Sequence, residues 1–177
     1  MPPITWTQAD STLHIQTRRE GVLSPVGHDL RLGLQRFEVS WDPDSSVVSG
    51  TFETATVEVR AALDGERALP KALSTRDKAK ITDKIRREVL QVGRYPYGRL
   101  DGSATVPTGS NPGVFEGTLE LRGVRRPVRA SVRSVAGQLE ARVTLNTPDF
   151  GVQPVSALLG TLKVRKDVEV ILRGPAP

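Results

Sequence analysis

Residues 24–34, SPVGHDLRLGL, set a histidine beside an aspartate and follow them with leucine at every second position. An imidazole held by a carboxylate is the proton-handling half of a serine hydrolase: the carboxylate orients the ring, and the ring takes the serine proton. On an extended strand, however, adjacent side chains leave opposite faces. His28 shares its parity with Leu30, Leu32 and Leu34 and is expected to face inward, with Asp29 outward. The pair therefore cannot serve one inner site, and no catalytic residue is assigned. Triads assemble in space, so spacing alone argues for none. Two readings stand for His28. Either it hydrogen-bonds the polar end of a ligand at the mouth of a barrel, or it ties down the start of a strand and the neighbouring loop.

The other chemistry-bearing residues are few. His14 and His28 are the only histidines and there is no cysteine, so a three-histidine site, thiolate chemistry and disulfides are excluded. A mixed histidine and carboxylate site has no local motif here, and neither a metal nor a cofactor is expected. PDFG at 148–151 has the letters of a kinase magnesium loop. It lacks the glycine-rich loop, catalytic loop and lysine strand that would give those letters meaning. It reads instead as a corner, with Pro148 and Asp149 starting a turn, Phe150 plugging the core and Gly151 relaxing the backbone.

Net charge is +5 and the isoelectric point about 10.0. Much of the excess lies within 71–87, where Lys71, Arg76, Lys78, Lys80, Lys84, Arg86 and Arg87 face only Asp77 and Asp83. Such a cluster suits phosphates or anionic lipid head groups. No aromatic residues interleave with it, so nucleic acid is not the expected partner. A solvated helix face and contact with an anionic membrane both remain open.

These residues must be positioned by two kinds of element. Most of the chain alternates with period two: Leu13 and Ile15 flank His14; Phe37, Val39 and Trp41 share a parity; so do Val57, Val59 and Ala61, then Leu119 and Leu121, and Val128, Ala130 and Val132. Strands with one apolar and one polar face have this signature. Turn signals at 42–46, 107–113, 122–127 and 135–138 separate the runs and point to an antiparallel sandwich or barrel. The stretch 73–92 differs. Ile81, Ile85 and Val89 recur every four residues, Ser74 and Asp77 resemble a capping box, and Pro96 limits the run, which predicts a helix over about 74–92. Gly102, Ala104, Gly117, Ala130 and Ala141 are small residues on the apolar parity. They mean tight packing in a tapering barrel or room for a ligand. With 177 residues and 37% hydrophobic content, one domain over 1–177 with one core is expected. No run is long enough to span a bilayer. MPPITWTQADSTLHIQ, at the N-terminus, has no basic region followed by an apolar one. Cytoplasm is the expected compartment for the chain as it stands, or periplasm if a leader was removed.

Several stretches occur in the order found in one family. EVLQVGRYPYGRLDG (88–102), GTLELRGVRRPVRASV (117–132), LNTPDFGV (145–152) and DVEVILR (167–173), with the helix before them, resemble the bacterial YceI-like family over roughly 5–173. The Arg-Gly-Val turn with its Pro-Val return is the most specific piece. GHDL at 27–30 departs from the commoner His-Ser pair with an aromatic. The resemblance implies an all-β fold with one helical segment: an extended antiparallel lipocalin-like β-barrel, closed on one side by the helix. It also implies a long central tunnel that holds a polyisoprenoid chain or similar amphiphile, and frequent homodimers.

The expected function is therefore non-catalytic binding or transport of a hydrophobic lipid ligand, a polyprenyl or quinone-like molecule. Burial of its tail at about 25 cal/mol per Å² would hold it without specific hydrogen bonds. Candidate lining residues are His28, Leu30, Leu32, Leu34, Phe37, Val39, Trp41, Leu119, Leu121, Val128 and Val132, with plain core packing as their other role. A solidly packed barrel acting as a basic surface module for an anionic membrane or macromolecular partner is the alternative.

Overall fold

Alternating side chains give each run one face to bury; turn residues then decide which runs pair. Arg122 and Gly123 both take positive φ, 51° and 71°, between Leu121 and Val124, which stand opposite each other. This two-residue turn has the twist a hairpin needs, and a glycine without Cβ adopts it freely. Ala136 and Gly137 repeat it, at 51° and 78°, between Val135 and Gln138.

The structure, a computed structural model, describes residues 1–20, 28–153, 156–157 and 162–176. Gly27 of the Gly-His-Asp-Leu stretch and the SPV before it lie outside the described residues. The strands of the first half are β1 (Ile4–Thr7), β2 (Thr12–Glu20), β3 (Asp29–Leu34), β4 (Phe37–Trp41), β5 (Val47–Glu53), β6 (Val57–Asp64) and β7 (Arg67–Leu69). After the helix α1 (Thr75–Lys84) come β8 (Tyr97–Ala104), β9 (Gly113–Leu121), β10 (Val124–Val135), β11 (Gln138–Asn146), β12 (Ser156–Ala157) and β13 (Leu162–Pro175).

All pairings are antiparallel, in the order β1-β4-β5-β8-β9-β10-β11-β13-β2-β3-β6-β7, with β12 added on β13. The fold is thus all-β with one helix. Among the described residues hydrogen bonding does not close the sheet, and β1 and β7 stand at the two ends of the strand order. The sheet returns on itself by bending instead. β3 runs into β4 and β5 into β6 as one kinked ribbon. At the kink the Gln35 N–H reaches the Thr56 carbonyl at 3.4 Å, and the Glu53 N–H reaches the Arg36 carbonyl at 3.0 Å. On one side of the kink the ribbon joins β2 through β3; on the other it joins β8 through β5.

The kinked ribbon leaves part of β6 without a strand neighbour, and α1 covers it. Ser74 caps the helix as its sequence suggests: its Oγ accepts the Asp77 N–H at 3.1 Å and donates to Asp77 Oδ2 at 2.7 Å. Beyond Lys84 the helix widens into a π turn, Ile85–Val89, in which the Leu90 N–H donates to the Ile85 carbonyl. Gln91, at φ 50°, ends it. The helix expected over about 74–92 is present over residues 75–89, three residues shorter at its end, with its last turn π rather than α.

A second correction concerns β6. Val57, Val59 and Ala61 do not share a face. Arg31 stands opposite Ala61 and Leu32 opposite Val59, so Arg60 has no partner on β3. That one-residue bulge inverts the parity and turns Ala61 to the outer wall.

Two of the small inner residues are there for packing. Gly102 stands opposite Gly117, and a Cβ on Gly117 would lie 2.3 Å from the Asp101 carbonyl oxygen and 2.6 Å from the Phe115 ring. The bare glycine pair lets two backbones approach under that ring. Gly117→Val is expected to lower stability by about 1–3 kcal/mol through overpacking. Urea denaturation tests this by a lower midpoint at unchanged slope; an unchanged midpoint contradicts the close-approach account.

Candidate functional site

The inner face of the sheet and one face of α1 enclose a cavity of about 1000 Å³. This sits at the upper end of the size range of small-molecule sites. Its wall is nearly all aliphatic and aromatic. Leu100, Leu119, Leu121, Val128, Val143 and Val170 point inward yet remain only partly buried, because they border this space.

Register arranges the wall in levels. At one end Leu13 stands opposite Leu172, and Leu139 opposite Gly174. Here Trp6 and Trp41 stack with ring centroids 6.2 Å apart, both buried, and Trp6 Nε1 donates to the Pro175 carbonyl at 3.0 Å. The tryptophans form a floor. From Leu139 to Leu145 along β11 the wall runs about 20 Å to the other end. There Thr17 stands opposite Leu30 and Val168, and the polar lining residues gather: Thr17, His28, Gln153 and Arg165, with Asp77, Lys80 and Lys84 reaching in from α1. Lys84 lies 4.0 Å from Glu88, and Arg165 pairs with Asp167 at 3.0 Å. The cavity is therefore amphipathic along its length.

Helix α1 is the wall on the side the sheet leaves open. Ile81 and Ile85 pack against the buried cluster of Leu32, Val57 and Val59, and Val89 packs against that of Leu145, Phe150 and Val152. Two side chains fasten the helix to the free edge of β6. Thr82 Oγ1 accepts the Val59 N–H at 2.9 Å, and Arg86 Nε donates to the Val57 carbonyl at 2.8 Å. Both satisfy backbone groups that would otherwise sit unpaired beside an apolar space.

The sequence motifs brace the same end. Arg122 of the Arg-Gly-Val turn donates to the Gly151 carbonyl, which ties the β9–β10 hairpin to the Asp-Phe-Gly corner. Phe150 is buried there as expected, and Asn146 Nδ2 donates to Asp149 Oδ1 at 2.9 Å. Tyr95 lies against Gly123, and the Thr54 hydroxyl donates to its carbonyl at 2.8 Å.

Of the residues singled out by sequence, His28, Leu30, Leu32, Leu34, Val39, Trp41, Leu119, Leu121, Val128 and Val132 line the cavity. Phe37 does not. It stands opposite Phe52 beside the kink, where the bend buries it in packed core while Phe52 borders the space. His28 is exposed at the mouth, one residue before β3. Asp29 points away from it: Oδ1 accepts the Arg19 N–H at 2.8 Å and Oδ2 meets Arg18 Nη1 at 3.4 Å. The two do not form a relay. Ala104, Ala130 and Ala141 line the cavity, unlike the packed Gly102 and Gly117 pair. The helix face of Ile81, Ile85 and Val89 also lines it, though sequence reasoning gave it no such role; its four-residue repeat was the available signal. Among the described residues no three His, Asp or Glu side chains gather to hold a metal ion, and no helix is long and apolar enough to cross a membrane.

This geometry agrees with the relatives of the sequence. The YceI-like domain model matches residues 8–176, and the chain belongs to that family. Among solved structures it is similar to BcnA of Burkholderia cenocepacia, with a TM-score of 0.63, 16% identity, and coverage of 96% of this chain and 98% of that one. A polyisoprenoid binding domain from Saccharophagus degradans, implicated in plant cell wall breakdown, matches with a TM-score of 0.57 at 12% identity, covering 99% and 98%. The YCEI protein of Campylobacter jejuni matches with a TM-score of 0.50 at 13% identity, covering 89% and 94%. At such identities the likeness speaks for the fold. No curated protein matches the chain.

Thr82→Val is expected to leave the Val59 N–H without its acceptor and to cost about 1–3 kcal/mol. Hydrogen exchange should then quicken at Val59 and along α1 while the β9–β10 hairpin stays protected. Unchanged exchange at Val59 would show that the helix is held by other means.

Proposed function

We propose that this protein binds and carries a long hydrophobic amphiphile, of the polyprenyl or quinone-like class, without chemically altering it. The observation that carries this reading is the amphipathic cavity of about 1000 Å³, apolar from the tryptophan floor to a rim of polar and charged side chains. A tail that enters it leaves water for aliphatic walls, and each buried CH₂ contributes about 0.8 kcal/mol. Such a wall sets no demand for hydrogen bonds along the chain, so length and cross-section decide fit. The polar end of the ligand then rests among His28, Lys80, Lys84 and Arg165. The description of the Saccharophagus degradans domain as polyisoprenoid binding supports the choice of tail. A solidly packed barrel is disfavoured by the cavity itself. Separation of His28 from Asp29 supports carriage over turnover.

Ala141 lies on the cavity wall, on β11. Ala141→Trp is expected to fill the bore and weaken binding of a long-chain polyprenol at least tenfold. Native mass spectrometry of the delipidated protein mixed with the polyprenol reads this, and circular dichroism checks the fold. Equal binding by both forms, or binding by neither, overturns the reading.

The basic helix gives the carrier a docking face. Lys80 and Lys84 border the cavity, and Arg76 stands one turn before Lys80 on α1. Contact with an anionic membrane would bring the mouth to the lipid. Co-sedimentation with phosphatidylglycerol vesicles should be strong at low salt and lost near 1 M salt, where the Debye length is about 3 Å. Vesicles of phosphatidylcholine should bind little at either. Equal binding to both would remove charge from the account.

A further inference from the structure

We propose that the outer wall of the barrel carries a second site, for a small phosphate-class oxyanion, formed by His14, Arg31 and Arg60 around Gly33. It lies on the opposite face of the sheet from the lipid cavity and does not depend on it.

Gly33 is the floor. It stands opposite His14 on β2 and opposite Glu58 on β6, and its outer side holds a hollow of about 540 Å³. Ser11, Thr12 and Gln35 stand on its rim. The bare glycine lets the Arg60 side chain lie over it: a Cβ there would lie 2.5 Å from Arg60 Nε and would push that side chain aside. Arg60 reaches across because it is the bulged residue of β6. Bulges commonly re-aim a side chain in this way near functional sites.

Hydrogen bonding leaves the site one acceptor short. Arg31 Nη2 donates to the Glu66 carbonyl at 3.1 Å, but Arg31 Nε is buried with no acceptor among the described residues. A buried donor in that state is costly until an acceptor arrives. No carboxylate pairs with Arg31 among the described residues. Glu58, opposite Gly33, pairs with Arg60 at 2.6 Å within the site, while Glu140 is committed to Arg142 and Arg173 at 2.5 Å each and the Glu66 side chain to Arg18 at 3.2 Å. An oxyanion in the hollow would supply the acceptor that Arg31 Nε lacks and would share the Arg60 guanidinium with Glu58.

His14 makes the site sensitive to pH. Burial holds its pKa below the ordinary 6.5, and Arg31 from β3, Arg60 from β6 and Arg173 from β13 lower it further. The ring is neutral near pH 7. A bound anion offsets those cations, so the imidazole takes up a proton more readily. By linkage, affinity rises as pH falls through the His14 titration, about tenfold for each unit by which the anion raises that pKa.

The experiment follows the imidazole resonances of the two histidines by NMR while inorganic phosphate replaces chloride at constant ionic strength. His28, at the cavity mouth, is the internal reference. The expected result is a saturable shift of His14 alone, a raised His14 midpoint, and binding at least tenfold weaker in Arg31→Gln. Arg60→Gln, at an exposed position, gives an independent second variant should the first fail to fold. Non-saturable shifts that affect both histidines alike, or phosphate binding unchanged in the folded variants, overturn the proposal. A His14 response to phosphatidic acid vesicles without one to inorganic phosphate would assign the chemistry to a lipid head group and likewise overturn the free-anion site.

Discussion

The edge of β6 is the constraint on which the structure turns. A sheet bent into a barrel by kinked ribbons leaves one strand partly without a neighbour, facing an apolar interior where no water can satisfy its backbone. Thr82 and Arg86 meet that need from a single helix, at the Val59 N–H and the Val57 carbonyl. The same helix lays Ile81, Ile85 and Val89 against the interior and carries Lys80 and Lys84 to the rim. Edge protection, wall and rim are therefore one element, which couples the integrity of the barrel to the character of its mouth.

Protein interiors are otherwise packed near crystal density, so a bore of this size needs walls that do not collapse. The ladders that surround it provide rigidity, and the close-packed regions are concentrated at its ends. Trp6 against Trp41, with the Trp6 indole bonded to the Pro175 carbonyl, fills one end. Between floor and mouth, Phe115 covers the glycine pair that lets β8 and β9 approach. At the other end, Phe150 and the tie from Arg122 to Gly151 fix the corner beside the mouth. Along the bore, alanines at 104, 130 and 141 stand among larger lining residues.

Much of this was legible in the sequence because a strand's period is short and strict. Alternation placed Leu30, Leu32 and Leu34 on one face, and the structure puts all of them on the cavity. The limits were physical too. Parity survives only until a residue is inserted: the bulge at Arg60 sends Ala61 outward although its spacing from Val59 is regular. Facing inward is also not the same as facing the bore, since Phe37 beside the kink meets packed core. Glycine and alanine looked alike as small inner residues, yet Gly102 and Gly117 serve a backbone approach that depends on which strands pair. Neither the kink nor the pairing across it is written in local periodicity.

The central claim is that a chain molecule lies along the bore with its tail on the tryptophan floor. The protein has two tryptophans, Trp6 and Trp41, and both are at that floor. Intrinsic fluorescence therefore reports on it directly when the protein is titrated with a long-chain prenol brominated at its terminal carbon. Strong, saturable quenching is expected from that probe and little from one brominated beside the hydroxyl. If neither quenches, or the hydroxyl-end probe quenches more, the tail does not reach the floor and the account is wrong.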